Sequence, residues 1–153
     1  MEHTGGQRSK VYEIDLARWA ELVSLGTRHA VGGLSEMVGR QIRITALDLK
    51  VVPVQAAADL VGGPENEVVT IHLAITGGAT GHIMLVYPVR VAFELVDLLL
   101  CQEPGTTQDL GELEGSALAE MGNITGSFFL NSLADNAGLR LMPSPPVVMM
   151  DMA

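Results

Sequence analysis

Apolar positions recur at helical spacing between residues 14 and 38, at Leu16, Trp19, Ala20, Val23, Leu25, Ala30, Leu34 and Met37. Gly39 follows as a helix terminator. From Gln41 to Val54 the pattern changes to that of a strand, with Ile42, Ile44, Leu47, Leu49, Val51 and Val52. Gly62-Gly63-Pro64 marks a turn, and residues 68–75 and 81–87 read as two strands of a hairpin around the glycine-containing segment 76–80. Pro88 is suited to open a helix that ends near Cys101, and Gln102 to Thr107 form a polar linker. A long helix is predicted from Asp109 to Asn136, with Asp109 and Glu112 at capping-box spacing and Gly138 as its stop. A last strand, 140–142 and 147–152, is interrupted by Pro143, Pro145 and Pro146.

An ungapped offset of 99 residues superposes the two long helices. Ala20-Glu21-Leu22 falls on Ala119-Glu120-Met121, Leu34 on Leu133, Gly39 on Gly138, and the strand 41–52 on 140–151. Each unit is a long helix, a glycine, then a strand. The first unit (14–101) continues into a hairpin and a second helix, whereas the second (109–153) stops after its strand. The expectation is an α+β fold with a pseudo-twofold repeat. A mostly antiparallel sheet should carry the two long helices side by side on one face, with Glu21 and Glu120 related by the symmetry. Residues 1–10 read as a flexible arm, and 11–153 as one domain. One sheet edge should be unpaired, covered either by a second subunit in a homodimer or by further residues of a longer protein.

The second long helix holds the candidate chemistry. Ser116, Glu120 and Asn123 are spaced four and three residues apart, so their side chains share one face. Leu110, Leu113, Leu118, Met121, Ile124, Phe128 and Leu133 are available to bury the rest of that helix. An ordinary surface helix fills its wet face with Lys and Glu, but between Ser116 and Leu133 the one charge is Glu120. A carboxylate and a carboxamide one turn apart can orient a water or hold a partner's cation.

Composition removes several classes of function. The net charge of -9 argues against nucleic acid and against an anionic membrane surface. The longest apolar stretch, Ile83 to Cys101, is broken by Pro88, Arg90, Glu94 and Asp97 and does not read as a membrane span. A single cysteine, Cys101, excludes an internal disulfide and suits a reducing cytoplasm; beside Leu98 to Leu100 it reads as a buried structural thiol. His72 and His82 lie on the two hairpin strands and can approach each other, but no Cys, Asp or Glu accompanies them, so no metal site is expected. Residues 76–81 lack the Lys-Ser/Thr of a phosphate loop, Asn123-Ile-Thr125 is a mid-helix sequon, and no nucleophile elbow exists.

The spacing Ser116-x3-Glu120-x2-Asn123-x22-Pro146 resembles the signature Asp/Ser-x3-Glu-x2-Asn-x22-Pro of the CheC, CheX and FliY phosphatases. Glu120-Met-Gly-Asn-Ile124, Asn131-Ser-Leu133 and Ala30-Val-Gly-Gly-Leu-Ser-Glu-Met37 are also similar to CheC, and the resemblance extends over residues 14–152. It implies hydrolysis of the aspartyl-phosphate of the chemotaxis response regulator CheY-P without a covalent intermediate. Asn123 would orient the attacking water and Glu120 would pair with the regulator's lysine, with Ser116 and Pro146 in support. The magnesium would be the regulator's, and the protein would need no cofactor of its own. Gly122 and Gly126 would let a partner's backbone approach the helix. In the first unit the motif is degenerate: Glu21 is present, but Ala17, Ser24 and Leu47 replace Asp/Ser, Asn and Pro, so one working site is expected. The alternative is a non-catalytic adaptor that docks the deamidase CheD, CheY or flagellar switch proteins.

Overall fold

The computed structural model describes residues 6–153, with side chains from Leu16 onward. In chain order the elements are α1 (Gly6–Val38), β1 (Glu67–Gly77), β2 (Gly81–Pro88), α2 (Val89–Leu99), α3 (Glu112–Ala137), β3 (Leu141–Pro143) and β4 (Val147–Met152). Two 3-10 turns, Val54–Ala56 and Ala58–Val61, precede β1. Of the expected flexible arm, residues 1–5 lie outside the described residues, and residues 6–10 belong to α1.

β1 is the centre of a fully antiparallel four-stranded sheet. It pairs with β2 along one edge, from Val68↔Pro88 to Ile75↔Gly81, and with both β3 and β4 along the other. Alternation along β1 sends Val69, Ile71 and Leu73 to one face, where they join Ala92, Val96, Leu118 and Met121 in the core. α3 lies directly on this face. A Cβ at Gly122 would collide with Ile71, and one at Gly126 would press on Leu73 Cδ2 at 3.2 Å. These two glycines therefore seat the helix on its own sheet. They are buried, and the expectation that they admit a partner's backbone is corrected.

α1 packs alongside α3 by a similar device. The Phe129 ring sits where a Cβ of Gly26 would be, 2.7 Å away, and the Phe128 ring covers Gly33. Leu34 and Val31 of α1 then reach Leu85 and Tyr87 of β2, so both long helices share one face of the sheet, as the sequence pattern predicts. Burial against this layer raises the pKa of the Tyr87 phenol.

The expected strand at 41–54 is absent. Residues 40–53 are irregular and unpaired, with bends at Arg40 and Thr45, and Val51 is 75% exposed. The alternation that suggested a strand is real, yet a strand persists only where a neighbour completes its ladder. Its counterparts β3 and β4 have β1, whereas residues 40–53 have no ladder partner among the described residues. What anchors the start of this segment is Ser35, whose Oγ accepts from the Ile42 N–H at 3.0 Å.

Two smaller expectations also fail. α3 starts at Glu112 behind Gly111, which makes no side-chain cap; Asp109 instead accepts from the Leu110 N–H at 2.7 Å, so the capping box does not form. Cys101 is exposed because it follows α2 in a left-handed turn (φ 54) that directs it away from the core. The stop of α3 is as expected: Gly138 adopts φ 66, a conformation costly for other residues, and Leu139 N–H donates to Ala134 O at 3.0 Å.

Candidate functional site

The start of α3 is positioned by Asp97 on α2. This carboxylate is 3% exposed and gathers the loop between the two helices. Oδ2 accepts from Gly105 N–H (2.7 Å) and Thr106 N–H (3.1 Å), while Oδ1 accepts from Thr107 N–H (2.8 Å) and the Thr107 hydroxyl (2.6 Å). The Thr107 hydroxyl bond, with the three backbone N–H groups, holds the Asp97 carboxyl below the usual carboxylate range against the cost of burial.

On α3, residues Leu118, Met121, Thr125 and Leu130 face inward, which leaves Ser116, Glu120 and Asn123 on the opposite, exposed stripe. The three line a single open cleft of about 560 Å³ with Ala119, Pro143, Ser144, Pro145 and Pro146. All four positions of the sequence signature are thereby brought together, Pro146 from the far side of the cleft. The ion pairs among the described residues are Lys50–Asp48 and Arg90–Glu94, so the Glu120 carboxylate has no cation of its own there. Glu120 and Asn123 are presented to solvent without an internal partner that would explain them.

The far wall is a bulge in the returning strand. Ile75 pairs with Pro143 and His72 with Val147, so Ser144, Pro145 and Pro146 stand against Leu73 and Ala74, three residues opposite two. Prolines cannot donate to a ladder, which drives the segment off the sheet toward α3. Ser144 was not singled out from the sequence. It is the one residue of 143–146 with a backbone N–H, and that is the signal by which it could have been found.

The degenerate first site is assembled differently among the described residues. On α1, Ala17 and Glu21 are exposed and Ser24 is half-buried, while Leu47 lies in the unpaired segment rather than in a bulge opposite the helix. His72 Nε2 and His82 Nδ1 do meet, at 2.8 Å with stacked rings, on the sheet face away from α3. No group of three His, Cys, Asp or Glu residues arranged for a metal occurs among the described residues. No described helix is long and apolar enough to cross a membrane.

Fold and site together define an α+β domain that displays a carboxylate and a carboxamide on an open helix face walled by prolines. Known proteins share this fold. The model of the CheC-like family matches residues 113–150, the segment from α3 through the bulge to β4. Over 145 residues the chain is 30% identical to the CheY-P phosphatase CheC of Bacillus subtilis (strain 168), covering 94% of this chain and 68% of that protein. Among solved structures, Thermotoga maritima FliY superposes with a TM-score of 0.75 at 22% identity, over 99% of this chain and 72% of the other. CheX in the CheX–CheY–BeF3–Mg2+ complex of Borrelia burgdorferi gives 0.59 at 18% identity, over 83% and 75%. The chain belongs to the CheC-like family.

Proposed function

We propose that this protein ends a chemotaxis signal by hydrolysing the aspartyl-phosphate of CheY-P at a single site on α3. The observation that carries the reading is the shared cleft of Ser116, Glu120, Asn123 and Pro146, with the two central side chains solvent-facing. Phosphoryl transfer to water requires an aligned nucleophile and a stabilised charge more than a protein nucleophile. Asn123 is suited to the first task, because a neutral carboxamide can accept a hydrogen bond from water beside a phosphoryl group that a carboxylate would repel. Glu120 is suited to docking instead, as an unpaired anion that a regulator's lysine can meet when both are removed from water; the charge of the phosphoryl group is left to the regulator's own site. The cleft is open, as docking onto another protein's active site requires. Magnesium in this scheme is the regulator's, no cofactor belongs to this chain, and the reaction is cytoplasmic. The relatives named CheY-P phosphatase and CheX–CheY complex support the same reading.

The assay follows decay of phosphorylated CheY with wild type, Asn123→Ala and Glu120→Ala. Asn123→Ala should lose turnover, on the order of 100-fold, while still binding the regulator. Glu120→Ala should lose binding first. Folded wild-type protein that fails to accelerate decay contradicts the assignment.

A second reading is a non-catalytic adaptor that docks CheD, CheY or flagellar switch proteins. It is favoured by the degenerate motif on α1, where Ser24 is half-buried and Leu47 lies in the unpaired segment, which leaves the repeat with one intact motif. In that case Asn123→Ala would leave chemotactic behaviour of the cell unchanged.

A further inference from the structure

The wall of the cleft is tied to β1 through one residue. Ser144 N–H donates to Ala74 O at 2.8 Å, and Ser144 Oγ accepts from Ala74 N–H at 2.9 Å. Both backbone polar groups of Ala74 are thus satisfied by the same residue, one of them by a hydroxyl in place of a ladder carbonyl. The hydroxyl hydrogen is directed at Pro145 O, 3.1 Å away, which fixes the turn of the bulge itself. Ser144 is flanked by Pro143, Pro145 and Pro146, none of which has a hydrogen to donate to β1. Between the Pro143–Ile75 and Val147–His72 pairs the segment is therefore pinned to β1 through Ser144. That pin lines the same cleft as the prolines and as Ala119, Glu120 and Asn123.

We infer that Ser144 is a positioning residue of the site: by clamping Ala74 it sets the height of the Pro143–Pro146 wall over Glu120 and Asn123, and so sets how a docked regulator is registered on α3. The inference rests on the phosphatase reading of that cleft. Its physical content is a division of labour. Rigid prolines supply a preformed surface that loses little freedom on docking, but they cannot tie themselves down. Ser144 supplies the tie. Loss of the hydroxyl leaves the Ala74 N–H without its acceptor and loosens the wall, which keeps only the Ser144 N–H bond to Ala74 O, so the effect should fall on docking rather than on the chemical step, since Asn123 stands on the rigid α3.

The test compares wild type, Ser144→Ala and Ser144→Thr in two measurements. One is the initial rate of CheY-P hydrolysis as a function of regulator concentration. The other is the Kd for CheY held in its activated form by beryllofluoride and Mg2+. Ser144→Ala should raise both the half-saturating concentration and the Kd by about 5-fold, with kcat changed less than about 2-fold. Ser144→Thr keeps the hydroxyl and should restore both. The inference is overturned if folded Ser144→Ala keeps wild-type values. A loss confined to kcat or to the folded fraction, with no recovery in Ser144→Thr, overturns it as well. Wild-type protein that binds activated CheY without hastening its dephosphorylation removes the phosphatase reading alone, and the Kd ratio still decides the role of Ser144. Wild-type protein that does neither removes both.

Discussion

Glu120 and Asn123 lie one turn apart yet are assigned different work, and their chemistry allows the two to be separated. A Glu120→Gln change keeps the shape and removes the charge. If the carboxylate meets a lysine on docking, this change should raise the half-saturating CheY-P concentration about 10-fold and flatten its dependence on salt, read by titration at two ionic strengths. Asp97 acts at a distance, through the loop that sets the start of α3. Its folded pKa is depressed below the unfolded value, so the stability it contributes is present above the ordinary carboxylate pKa and is lost as pH falls through the lower folded value. The urea midpoint should accordingly drop through the acid range below the ordinary carboxylate pKa, and Asp97→Asn should be less stable at neutral pH and lose that part of the pH dependence. Neither Asp97 nor Ser144 was apparent from spacing, because their partners are backbone groups of Gly105–Thr107 and Ala74, which the one-dimensional pattern does not display.

Among the elements, the helices and the hairpin were legible because each carries its own periodicity, its glycine stops and its turn. The signature residues were legible too, since helical spacing alone puts Ser116, Glu120 and Asn123 on one face. What could not be read was decided by neighbours. Residues 41–54 alternate as a strand should, but no pattern within the segment states whether a ladder partner exists. Gly122 and Gly126 suggest a partner's approach, but their contact with Ile71 and Leu73 gives them to the chain's own sheet, which the spacing does not display. Gly122→Val should therefore cost about 1–3 kcal/mol of stability by overpacking against Ile71, measured by urea unfolding, despite the position being within a turn of Asn123. A mild effect on stability with a large loss of CheY binding would instead return Gly122 to the docking surface.

Across the whole molecule the repeat is visible but unequal. The second helix has its sheet strand, its bulge and its cleft, while the first is followed by an irregular segment with no strand beside it among the described residues. Protection against hydrogen exchange should follow that inequality. Amides of Val69–Leu73 in the core of β1 should be the slowest, and those of residues 43–53 should exchange nearly freely, with Ile42 partly shielded by Ser35. Slow exchange across 43–53 in isolated protein would show that this segment finds a partner. The same inequality predicts that function resides in one half only. The most direct measurement is inorganic phosphate release from CheY-P under saturating regulator, with wild type, Asn123→Ala and Ser24→Ala side by side. A single working site on α3 predicts multiple turnovers for wild type and for Ser24→Ala, and turnover slower on the order of 100-fold for Asn123→Ala. Undiminished turnover in Asn123→Ala would contradict it.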